Sequence, residues 1–303
     1  MEHVNAQFLL SFLIILLGYL CRRTNVVTAS DGEGLARIIF NITLPALIIT
    51  TFSTIQMDFS LILMTIFSLL YGLLMTAIGL YVFKKDDRRT RGMLSMVLPG
   101  FNIGLFAYPL VEAIWGQEGL KYFGMFDVGN SLVIFIVCYL IASHFSGEAN
   151  RFTVRSAMNR LVRSIPLVTY VLVFCAAVAD WKFPAFLLDM TQILAKANMP
   201  LSLLLLGMHL SFSFEADYWR NIWRILAIRY LCGLTIGGII FYWLPVSDMI
   251  RYTCLIGFTL PVGMAAIPFA VEFGYDHQFV GTVANLTILI SFLLIWGLIG
   301  LAY

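Results

Sequence analysis

Leu98-Pro99-Gly100-Phe101-Asn102-Ile103-Gly104-Leu105-Phe106-Ala107-Tyr108-Pro109 is an apolar stretch that cannot run as one unbroken helix. Proline removes a backbone donor and crowds the preceding turn, and glycine weakens a helix from within. A second stretch, Leu260-Pro261-Val262-Gly263-Met264-Ala265-Ala266-Ile267-Pro268, is interrupted in the same way. Each opens with Leu-Pro, contains glycine and closes on another proline. In hydrocarbon, every backbone N–H and C=O freed by such a break needs a new partner. The usual partner is a solute or an ion near the bilayer midplane, as in secondary transporters built from repeats.

The composition places both stretches in lipid. The chain of 303 residues is 60% hydrophobic and 12% charged, whereas a soluble domain is about a quarter charged. The longest polar stretch, 143–164, is too short to fold alone. The first apolar run has no basic segment before it and no small-residue cleavage pattern after it, so it is expected as a retained helix, not a signal peptide. At about 20 apolar residues per crossing, ten spans are expected, over 4–21, 34–54, 60–83, 92–115, 119–142, 164–181, 186–211, 221–244, 249–272 and 278–302.

Orientation follows from the basic residues, which mark the cytoplasmic side of short loops. With the N-terminus outside, the inner side receives Arg22, Arg23, Arg37, Lys84, Lys85, Arg88, Arg89, Arg91, Arg151, Arg155, Arg160, Arg163, Arg220 and Arg224. The outer side receives Lys121, Lys182 and Arg251. Fourteen against three puts both termini outside the cytoplasmic membrane of a multi-pass protein, with five spans in each half. A duplicated half with an odd number of spans must be inserted upside down. Asn41 and Asn198, Pro45 and Pro200, Pro109 and Pro268, Gly116 and Gly274, and Asn130 and Asn285 recur in the same order, 155 to 159 residues apart. The expected architecture is all-α, with ten transmembrane helices in two inverted five-helix repeats and helices 4 and 9 broken and crossing. The repeats are 1–142 and 164–303, joined by a cytoplasmic connection over 143–163.

Pro109 and Pro268 read as the starts of second half-helices, because proline is favoured in a first turn. Such N-termini carry partial positive charge and free N–H groups, which suit a carboxylate. The binding residues expected at the crossing are Asn102, Ile103, Gly104, Tyr108, Pro109, Asn130, Pro261, Gly263, Met264, Pro268 and Asn285. Asn130 and Asn285 either line a cavity or hold the broken helices in place. Asp127 and Lys196 are candidate coupling or charge-bearing groups; each has an alternative reading as a structural partner. Arg229 reads as structural. Asn41, Pro45 and Asn198 read as polar or kinking positions of a scaffold. Cys21, Cys138, Cys175, Cys232 and Cys254 have no metal-site spacing, so no metal is expected. No GxSxG, HExxH, P-loop or GxGxxG motif is present, so an enzyme is not expected. The net charge of +2 says little about partners; the bilayer and a small organic anion are expected, and no nucleic acid.

Leu35 to Ile48 resembles helix 2 of the auxin efflux carrier family. So do the segment from Asn102 through Pro109 to Gly116 and the stretch from Leu260 to Phe269, and Ile193 to Asn198 is similar to bacterial members. The resemblance spans nearly the whole chain. It implies the fold shared with bile acid:sodium symporters: a scaffold from helices 1, 2, 6 and 7, and a transport part from helices 3–5 and 8–10 moving as an elevator. It implies export or movement of a small organic anion, no cofactor, and a scaffold-mediated homodimer. Proton or sodium coupling is left open. Asn102 matches the asparagine that plant members carry at the crossing; helix 9 has none there. The alternatives are a non-transporting membrane sensor or interaction protein on the same fold, a sodium-coupled symporter of the bile-acid type, and a channel.

Overall fold

The computed structural model describes residues 2–53, 58–146, 154–212 and 215–302, and among them every regular element is a helix. The order is α1 (Glu2–Arg23), α2 (Ala29–Phe52), α3 (Phe59–Val82), α4 (Arg88–Val97), α5 (Ile103–Ser146), α6 (Val154–Arg163), α7 (Ile165–Val178), α8 (Ala185–Lys196), α9 (Asn198–Met208), α10 (Trp219–Trp243), α11 (Asp248–Gly257), α12 (Ala266–Glu272) and α13 (His277–Ala302). Among the described residues, six helices are long and apolar enough to cross a membrane: α1, α2, α3, α5, α10 and α13. Leu9, Leu17, Leu231 and Leu293 are each more than half exposed on them. Lipid-facing leucine of this kind is stable only when hydrocarbon replaces water around it.

Local chemistry sets the element ends. Thr28 and Asp31 form a reciprocal capping box at the start of α2. Asp87 accepts from the Arg89 and Thr90 N–H groups and starts α4. Inside α2, a π turn over Ile39–Thr43 precedes Pro45. Inside α5, Gly116 has φ 57°, and the helix bends back there so that Gly119 packs on Val111 and Trp115. A side chain at Gly116 would be strained in that left-handed region. The expected spans 92–115 and 119–142 are therefore α4 plus two arms of α5.

Small residues seat the helices on one another, as is usual in membranes. A methyl on Gly18 of α1 would strike the Leu204 carbonyl of α9, and one on Gly207 would strike the Ile15 carbonyl. Trp296 Nε1 donates to Asn5 Oδ1 at 2.9 Å, which places the two ends of the chain together. At the other end the basic loops gather. Arg224 clasps Asp86 through two bonds of 2.9 and 2.7 Å, Arg88 donates to the His144 carbonyl at 2.8 Å, and Arg89 donates to the Gly274 carbonyl. The expected connection over 143–163 contains a helix, α6. Arg151 lies outside the described residues, as do the side chains of Arg155 and Arg160.

Candidate functional site at the crossed breaks

Two interruptions lie between α4 and α5 and between α11 and α12, and they meet. Phe101 and Val262 form an antiparallel bridge. The Asn102 N–H donates to the Pro261 carbonyl at 2.9 Å, and the Gly263 N–H donates to the Gly100 carbonyl at 3.2 Å. The pairing is reciprocal, as two segments crossing in opposite directions require. Freed backbone groups thus partner each other first.

Four carbonyls of the breaks, two of them already in the bridge, converge on Arg229 of α10, whose side chain is fully buried. Its guanidinium donates to the carbonyls of Leu98 (2.5 Å), Gly100 (2.9 Å), Leu260 (3.2 and 2.8 Å) and Pro261 (3.0 Å). It also lies 4.6 Å from the centroid of the Phe101 ring. A guanidinium is a rigid fork with five donors, and these four carbonyls engage all three of its nitrogens. Each break is then clamped by its neighbouring helix. On α5, Asn130 accepts from the Phe101 N–H at 2.9 Å and donates to the Phe101 carbonyl at 3.1 Å. On α13, Thr287 accepts from the Val262 N–H at 3.0 Å, and Ser291 donates to the Thr259 carbonyl at 2.7 Å.

A cavity of about 690 Å³ opens beside the first break. Asn41, Asn102, Ile103, Gly104, Asp127, Asn130, Gly263, Met264 and Pro268 line it, so the structure brings these expected residues together. Asn102 is only 4% exposed. Its Oδ1 accepts from the Leu105 N–H at 3.3 Å and caps the first turn of α5. That bond fixes the amide orientation, because only the oxygen can accept. The amide nitrogen has no partner among the described residues. In the wall, the Asp127 carboxylate accepts from the Tyr108 hydroxyl at 3.0 Å and from Asn130 at 3.3 Å, and behind it the Tyr108 hydroxyl meets that of Tyr170.

Other expected residues lie elsewhere. Asn285 donates to the His209 and Ser211 carbonyls at 3.1 and 2.6 Å and is not in the cavity wall; Thr287, two residues later, does the work expected of it at the second break. Pro109 falls in the first turn of the α-helical stretch from Tyr108, but the helix begins ahead of it: Asn102 caps it seven residues earlier, and a π turn over Ile103–Ala107 leads into the proline. Tyr108 and Pro109 are buried outside the cavity wall, and Pro261 contributes its carbonyl. Pro268 falls in the first turn of α12, which has seven residues. Asn198 accepts from the Thr43 hydroxyl at 3.0 Å, tying the kink before α9 to the π turn of α2, beside buried Pro45. Lys196 is exposed at the end of α8 and is not in the cavity wall. The cavity also has Asn159 and Arg163 of α6 and Ser131 and Tyr139 of α5 in its wall, none of which stood out in the sequence. Arg163 gave a signal as one of a run of arginines, but it read as a loop charge.

The family described as "Membrane transport protein" matches residues 4–299. The chain belongs to this family. It is the family of the auxin efflux carriers. Two archaeal relatives, each named an uncharacterized transporter, agree with this membership. One from Methanothermobacter thermautotrophicus is 26% identical over 298 residues, covering 95% of both chains. One from Methanocaldococcus jannaschii is 22% identical over 303 residues, covering 95% of this chain and 96% of the relative. Membership in a membrane transport protein family and the apolar helices make the chain a multi-pass membrane protein of a transporter family.

Proposed function

We propose that this membrane transport protein is a secondary transporter of a small organic anion, a carboxylate, with its substrate site at the crossed breaks. The observation that carries the reading is the Asn102 amide: buried, fixed in orientation, in a cavity wall, and with its nitrogen unpartnered. Leaving a buried donor unpaired costs about 1–3 kcal/mol. A bound carboxylate removes that cost. The first N–H groups of α5 and the Arg163 guanidinium on the cavity wall add positive potential of the same sense.

In this proposal the ten membrane spans are α1, α2, α3, α4 with the first arm of α5, the second arm of α5, α7, α8 with α9, α10, α11 with α12, and α13. They form two inverted repeats with both termini outside the cytoplasmic membrane. The reciprocal bridge between residues 101 and 262 supports the inversion, and the bond joining Trp296 to Asn5 supports termini on one side. The scaffold is α1, α2, α7, α8 and α9, and the remaining spans carry the site past it as an elevator. The cavity supports this division, because α2, α6 and α7 form one wall and the crossing forms the other. A homodimer through the scaffold belongs to the same proposal.

The test is a thermal-shift screen of the purified protein with malonate, succinate, citrate and indole-3-acetate, with and without sodium and at two pH values. At least one carboxylate raises the melting temperature, and Asn102→Ala loses that rise while folding normally. The same anion enters proteoliposomes at a saturable rate that Asn102→Ala abolishes. Unchanged uptake by the variant removes the site from the crossing.

A further inference from the structure

We infer that Asp127 is a proton-binding site that latches the crossing to α7: ionised, it ties α5 to α7 through Tyr108 and Tyr170; protonated, it lets go. The inference rests on the carrier reading for its purpose, and on three observations for its existence.

The first is connectivity. The Asp127 carboxylate accepts from Tyr108 of the first arm of α5 and from Asn130 of the second arm. Tyr108 then meets Tyr170 of α7. Because the Tyr108 proton is given to Asp127, the Tyr170 hydroxyl donates to the Tyr108 oxygen. The chain therefore runs from Tyr170 to Tyr108 to Asp127 and ends on a charge. A charge-assisted bond is about twice as strong as a neutral one, and it polarises the bond behind it. A proton added to the carboxylate turns it into a neutral acid, so both bonds weaken. The same proton weakens the bond from Asn130, whose amide also holds the first break at Phe101.

The second is placement. Asp127 is in the cavity wall, so water there can deliver and remove the proton. The titratable groups facing it are Tyr108 and Tyr170. Among the residues lining the cavity, Arg163 is the other charged side chain and Tyr139 the remaining titratable one; α2 contributes Phe40, Asn41 and Leu44, and the second break and α12 contribute Gly263, Met264, Ala265 and Pro268. An ionised Asp127 repels an incoming carboxylate. A protonated Asp127 admits it, so anion and proton enter together.

The third is what the crossing does with its carbonyls. Unwound backbone carbonyls are the usual ligands of a coupling sodium ion in carriers with broken helices. Here Leu98, Gly100, Leu260 and Pro261 give theirs to Arg229. A tethered cation already fills that place, and the exchangeable charge left at the cavity is the proton on Asp127.

The experiment needs no substrate. Infrared difference spectra of the full chain in lipid are taken on acidification from roughly pH 8 to pH 5. A protonated-carboxyl stretch appears in the wild type, and the component from Asp127 is missing in Asp127→Asn. In parallel, Tyr170→Phe lowers the melting temperature by a few degrees near the higher pH. The loss shrinks by about half near the lower pH and in the Asp127→Asn background. Tyr108→Phe, which cuts the same chain in the middle, also abolishes the Tyr170→Phe effect and serves if Asp127→Asn does not fold. A wild-type spectrum with no carboxyl component beyond that of Asp127→Asn overturns the proton site. A Tyr170→Phe effect equal at both pH values overturns the latch. Failure of the carrier reading shows separately, as absence of carboxylate stabilisation and uptake.

Discussion

The two breaks share a backbone plan and differ in chemistry. At the first, amides do the work: Asn102 caps the returning helix, and Asn130 holds both the N–H and the carbonyl of Phe101. At the second, hydroxyls do it: Thr287 takes the Val262 N–H and Ser291 the Thr259 carbonyl, and α12 starts with no side-chain cap. A hydroxyl engaged on the backbone has little left to offer a ligand. An amide has separate donor and acceptor ends and keeps one in reserve. The polar groups facing the cavity at the crossing, Asn102, Asp127 and Asn130, all come from the first half, while Gly263, Met264 and Pro268 supply an apolar wall. A pseudo-symmetric frame thus carries a one-sided site.

Arg229 serves both breaks at once, so its loss is the largest effect expected. Arg229→Met leaves the buried Leu98 and Leu260 carbonyls unpaired, strips one bond each from those of Gly100 and Pro261, and costs about 3–5 kcal/mol. A melting curve in detergent reads this as a collapse of the cooperative transition, and Arg229→Lys recovers only part of it. Asn130→Ala comes next, at about 2–3 kcal/mol, because it orphans a backbone donor and an acceptor. Thr287→Val orphans the Val262 N–H alone and costs about 1–2 kcal/mol. Equal melting shifts for these two variants would erase the asymmetry drawn above. Pro109→Ala is the smallest, within about 1 kcal/mol, since its turn is already relaxed by the π turn before it.

The breaks were legible because proline and glycine inside an apolar run have few other meanings in lipid. Asn102, Gly263 and Met264 were legible for the same reason, lying within the interrupted stretches. The partners of the breaks were not. Arg229 read as structural, but the partners that make it so are carbonyls, which no side-chain pattern reports. Asn285 matched Asn130 in sequence and missed the second break by two residues, about half a helical turn, while Thr287 gave no signal among many membrane threonines and serines. Pro109 misled because a π turn let the helix begin ahead of it. Arg163 lay in a polar connection, where composition speaks of sidedness and not of cavities.

Thr287 and Ser291 lie on the final helix, the same one that reaches back through Trp296 to Asn5 near the beginning. During synthesis Val262 therefore waits without its hydroxyl until α13 has left the ribosome. Maturation of this protein cannot proceed half by half: its centre stays unfinished until α13 arrives to supply the two hydroxyls.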